Sequence, residues 1–149
     1  QFKKLYDERG VRRYYVGGAL GVDMWAGELI LRLKEQPGYG DIELVVVLPF
    51  EGHDAKWDER SKHRMDFLLR MCSEYVVVGK EDCRESYIKR NCYMIDHANY
   101  LVAVYDNERN LRSGTMQTVR YAERCGLTIA FINPDTATVK NSGIMRSTP

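Results

Sequence analysis

Five continuous apolar runs punctuate the chain, at residues 12–17, 42–48, 75–79, 100–105 and 127–132. They are rich in Val, Ile and Tyr and show no clean in/out alternation. That is how strands read when helices cover both faces of a parallel sheet. Between them, apolar residues recur at helical spacing. Residues 22–35 place Val22, Ala26, Leu29, Ile30 and Leu33 on one face and stop before Pro37-Gly38. Residues 58–74 carry Met65, Leu68, Leu69 and Cys72 against a charged opposite face, a solvated surface in its simplest reading. Residues 86–98 carry Ile88, Cys92 and Ile95, and residues 115–124 carry Met116, Val119 and Ala122, with Cys125 continuing the pattern up to Gly126. With no internal repeat and no linker, the alternation predicts one doubly wound α/β domain over residues 1–132, and the patternless residues 133–149 read as an irregular tail.

Residues 1–10 have the character of a helix end. Phe2, Leu5 and Tyr6 share a face, Lys3, Lys4 and Arg9 suit a C-terminus, and Gly10 is placed to cap it. So short a helix is not stable alone, and the alternating pattern leads one to expect a further strand upstream of it.

The pattern converges on one stretch, Tyr14 to Ala26. An apolar run enters it, Gly17, Gly18 and Gly21 fall within five residues, and an amphipathic helix leaves it. Such a turn lets a ligand approach the main chain, and the helix that follows directs free N–H groups and a positive dipole end at it. The spacing is neither the dinucleotide fingerprint nor the Walker loop, so a tight turn without a ligand fits these residues equally well. In an open parallel sheet, ligands bind beyond the strand C-termini. That rule selects the loops at 17–23, 49–57, 80–86 and 106–115 and the residues after Ile132. A second glycine-bearing turn, Ser113-Gly114-Thr115, opens the helix at 115–124; it either joins the first in holding a phosphorylated ligand or simply caps its helix. Asp23 suits the dipole at its helix start, or accepts a ribose hydroxyl. Arg90, with Asn91, offers a guanidinium fork for phosphate or carboxylate, or else pairs with Asp96 or Asp106. Trp57 with Phe50, beside Pro49, either stacks a base or packs as a lid.

Composition narrows the classes. In 149 residues, 44% hydrophobic and 29% charged, there is room for one soluble globular domain with a proper core. A formal net charge of +1 supplies no electrostatic footprint for wholesale nucleic-acid or membrane binding. No apolar run approaches the roughly 20 residues of a membrane span, and no signal peptide is evident. Cys72, Cys83, Cys92 and Cys125 lack CxxC spacing and read as reduced core thiols of a cytoplasmic protein. Nothing in the sequence spacing makes His53, His63 or His97 converge with them on a zinc ion, so neither a metal nor a cofactor is expected.

The order of motifs makes a resemblance specific. Gly17-Gly18-Ala19-Leu20-Gly21-Val22-Asp23 resembles the S-G-x-A-R-G-I-D pattern of the DNA-processing A (Smf) proteins. Arg90-Asn91 resembles their R-N-R, and Ser113-Gly114-Thr115 their S-G-[ST]. The chain, over residues 12–132, is similar to the superfamily that joins Smf proteins to the LOG phosphoribohydrolases, called SLOG. Within it, Gly18–Ala26, Leu48-Pro49-Phe50, Trp57, Arg90–Asp96 and Gly114–Ala122 resemble the small stand-alone YpsA-like branch. The resemblance implies a Rossmann-like three-layer sandwich with a mostly parallel central sheet, a homodimer, and a first strand ending in a Gly-His-Arg turn, absent here. It implies a nucleotide-like ligand, in a sensor or regulatory role, held by Gly17, Gly18, Gly21, Asp23, Pro49, Phe50, Trp57, Arg90, Asn91, Asp96, Asp106, Ser113, Gly114, Thr115 and Thr118. Two alternatives attach to the same resemblance. LOG enzymes hydrolyse a nucleotide N-glycosidic bond with a Glu where this chain has Thr118, which argues against that reaction. Smf proteins bind single-stranded DNA with basic residues, including an Arg where this chain has Leu20.

Overall fold

The computed structural model describes residues 1–104 and 114–142. They fall in two compact units, divided after Arg90, and each builds α/β structure of the Rossmann-like kind around its own apolar cluster.

In the first unit, α1 (Phe2–Arg9) leads through Gly10 into β1 (Arg13–Val16), then α2 (Val22–Glu35), β2 (Glu43–Leu48), α3 (Glu59–Met71), β3 (Glu74–Val77) and the start of α4 (Arg84–Asp96). Gly10 takes φ 71°, and the N–H groups of Gly10 and Val11 return to the carbonyls of Tyr6 and Leu5. This paired closure of a helix end needs a left-handed residue, and glycine adopts it without steric cost. The three strands lie parallel in the order β1-β2-β3, Tyr14 opposite Leu44 and Val46 opposite Tyr75. Leu44 to Leu48 are buried at every position, because β2 is central and covered on both faces.

Helix α2 keeps the bounds expected from its sequence, but it is rotated. Met24, Gly27, Ile30, Leu31 and Leu33 are buried, whereas Val22 and Leu29, expected in the core, are exposed. Gly27 explains the rotation. Leu68 of α3 comes within 3.2 Å of where a Cβ at Gly27 would sit, so the small residue draws that side of the helix inward. Helix α3 begins where Asp58 accepts the backbone N–H of Ser61 at 2.9 Å. It ends earlier than the expected 74, because the Ser73 backbone N–H leaves to bond the Leu44 carbonyl beside β2.

In the second unit, the remainder of α4 precedes β4 (Tyr100–Val104), α5 (Gly114–Arg124), β5 (Thr128–Ile132) and β6 (Val139–Ser142). β4 and β5 are parallel, and β6 returns antiparallel to β5. Ile95, Met116, Val119, Ala122, Ile129 and Phe131 form its core. Strand β6 lies where the sequence predicts only irregular tail. Its connection is set by polar groups: the Asn133 side chain accepts the N–H groups of Asp135 and Thr136, and Ala137 takes φ 57°. The cysteines are free, and none is fully buried, although Cys72 packs against the first core cluster. Cys72, Cys83 and Cys92 are half-buried, and Cys125 is exposed beyond the last turn of α5. Among the described residues, no helix is long and apolar enough to cross a membrane.

Candidate functional site

The site grows from the end of β1. Val16 is the last paired residue of that strand, and the chain then needs a sharp turn to enter α2. Gly18 at φ 65° and Gly21 at φ 83° supply it, in conformations that a side chain would strain. Gly21 stands at the N-cap position of α2 and offers no side chain to the first N–H groups of the helix. Those groups have no partner within a helix.

Three side chains from elsewhere in the first unit brace this turn. Arg90, buried in α4, donates from Nη1 to the Gly17 carbonyl at 2.9 Å. His53, from the loop after β2, lies with Nε2 2.8 Å from the Gly18 carbonyl. A carbonyl only accepts, so this nitrogen carries the hydrogen. Asp23, in the first turn of α2, reaches back over the glycines. Its Oδ2 lies 2.7 Å, and the Arg90 Nε 3.2 Å, from where a Cβ at Gly17 would be. A side chain at Gly17 would therefore push on the Asp23 and Arg90 side chains.

The electrostatics follow from this crowding. Burial raises the Asp23 carboxyl above the usual carboxylate range, against the opposing pull of the Arg90 guanidinium and the Ala19 backbone N–H. Burial likewise lowers Arg90, and Asp23 opposes that shift. A carboxylate and a guanidinium thus share a poorly solvated turn, and each is a strong hydrogen-bonding group for a polar ligand.

Aromatic residues surround this centre. Phe50, just past β2, is buried and meets the Tyr87 ring edge-on, with centroids 5.9 Å apart. The Arg90 guanidinium lies 5.6 Å from the centroid of that same Tyr87 ring. Trp57 packs on the apolar core and meets His53 edge-on at 5.1 Å. Of the two readings of Trp57, packing is the one its contacts fit. Pro49 is fully buried, and its carbonyl crowds Gly79.

The first unit thus brings together Gly17, Gly18, Gly21, Asp23, Pro49, Phe50, Trp57 and Arg90. Asn91, Asp96, Gly114, Thr115 and Thr118 belong to the second. There Asp96 closes α4, shortly before β4 begins, and accepts the Tyr121 hydroxyl at 2.7 Å. That puts it by the N-terminal end of β4. Thr115 is exposed in the first turn of α5. Asp106 and Ser113 lie outside the described residues. Nothing in their local sequence marks His53 and Tyr87 as ligand-site residues; the fold brings them to the turn. Among the described residues, no group of three His, Cys, Asp or Glu side chains is placed to hold a metal ion.

Comparison with known proteins agrees with the motif order. The model of the YspA SLOG family matches residues 1–137. UPF0398 proteins of Bacillus cereus (strains B4264 and G9842) and Bacillus thuringiensis (strain Al Hakam) are each 28% identical over 104 residues. Each match takes in 68% of this chain and 55% of the relative. The chain therefore spans about half the length of these relatives.

Proposed function

Because the chain belongs to the YspA SLOG family, we propose that it binds a nucleotide or a nucleotide-derived small molecule at the glycine turn, in a sensor or regulatory role. One observation carries the reading: the turn that opens α2 is braced by the protein's own side chains. Arg90 and His53 occupy the carbonyls of Gly17 and Gly18, so what the turn offers a ligand is donors, at an N-terminus that no side chain caps. Donors and a positive dipole end suit a phosphate or another anionic group. Asp23, beside them, accepts a ribose hydroxyl. A homodimer belongs to the same proposal.

A thermal-shift screen of the full-length protein against nucleotides and their derivatives tests it. At least one compound is expected to raise the melting temperature of the wild type and to lose that effect with Gly17→Ala. The side chain added there displaces Asp23 and Arg90 from their places. A screen in which no compound shifts the wild type would overturn the proposal.

A further inference from the structure

The sequence offers Trp57 with Phe50 as the aromatic pair for a base, and the structure gives both of them other work. Phe50 is buried, and Trp57 packs on the core and against His53. A third ring belongs to the same unit. Tyr87 lies in the first turns of α4, which follows the C-terminal end of β3, and it remains 38% exposed. It belongs to neither apolar cluster and packs on the buried Phe50. Its orientation is fixed from two sides, edge-on by Phe50 at 5.9 Å and by the Arg90 guanidinium at 5.6 Å. Arg90 in turn holds the Gly17 carbonyl. One guanidinium therefore links the ring to the glycine turn.

We infer that Tyr87 is the stacking platform for the base of the bound nucleotide and so sets the preference for base-bearing ligands over bare sugar phosphates. The inference rests on the glycine turn as the place where the rest of the ligand is held. Three physical points support it. A ring already fixed by its neighbours loses little freedom when a base stacks on it. A tyrosine presents a broad apolar face while keeping a polar tip in water. Stacking is indifferent to the hydrogen-bond pattern of the base, because every base has a π-face. The geometry thus selects for the presence of a base, with purines favoured by their larger rings.

The test compares isothermal titrations of adenosine, guanosine, cytidine and uridine 5′-monophosphates and of ribose 5-phosphate into the wild type, Tyr87→Ala and Tyr87→Phe. The wild type is expected to bind the purine monophosphates more tightly than ribose 5-phosphate. Tyr87→Ala should lose about tenfold or more of nucleotide affinity, because the base loses its stacking face, and keep its affinity for ribose 5-phosphate. Tyr87→Phe, which retains the ring, should bind as the wild type does. Unchanged nucleotide affinity in a folded Tyr87→Ala overturns the platform while leaving the glycine-turn site standing. An equal loss for ribose 5-phosphate also overturns it, since the ring would then act only through Arg90. A wild type that binds none of the five probes overturns the platform, while the glycine-turn reading stands or falls separately with the thermal-shift screen.

Discussion

At the scale of single residues, the turn is governed by what can be buried beside Gly17. Asp23 occupies space that a carboxylate enters only at a desolvation cost, which Arg90 offsets in part. The balance has a measurable sign. The Asp23 carboxyl is raised above its ordinary value of 3.8 in the folded chain. Between that value and the raised one, the native state therefore holds a proton that the unfolded chain has released. Stability linked to this group is present at the acid end and is lost as the pH rises through the folded pKa. Asp23→Asn removes the titration. Thermal unfolding of both proteins at a series of pH values should show the wild type losing ground to Asp23→Asn as the pH climbs from about 3.8. A wild type that gains ground over the same window would mean that the attraction to Arg90 outweighs burial.

At the scale of elements, Asp58 is the clearest test of local design. It accepts the backbone N–H of Ser61 at 2.9 Å and the Ser61 hydroxyl at 2.8 Å, at the start of the helix that carries Met65 and Leu68 into the core. Asp58→Ala should lower stability by about 1 kcal/mol, read from denaturant unfolding, with no change in ligand affinity. The same helices mark how much of the fold is legible in the chain. The bounds of α2 can be read because Gly21 and Pro37 punctuate its ends. Its buried face cannot be read, because Gly27 decides it, and a missing side chain leaves no mark in hydropathy. Strand β6 is likewise hidden, since a polar turn built on Asn133 pairs it with β5 and no apolar alternation announces it. In the candidate site, Gly17, Gly18, Gly21, Asp23 and Arg90 are legible from spacing and motif order. His53 and Tyr87 depend on how separate segments meet after folding, and a linear pattern does not carry that information.

At the scale of the whole molecule, the chain belongs to the YspA SLOG family, and the role proposed for it is binding without turnover. Incubation with nucleoside monophosphates is expected to release neither base nor ribose phosphate, as followed by chromatography. Steady release that disappears with Asp23→Asn would establish hydrolysis instead. The most direct test of the central claim is to watch the backbone of the glycine turn while a ligand binds. In two-dimensional NMR of the amide-labelled protein, titrated with a nucleotide that raises its melting temperature, the largest shift changes should fall on the N–H groups of residues 17–24. Saturating changes confined to amides elsewhere in the chain, with residues 17–24 unmoved, would contradict the account.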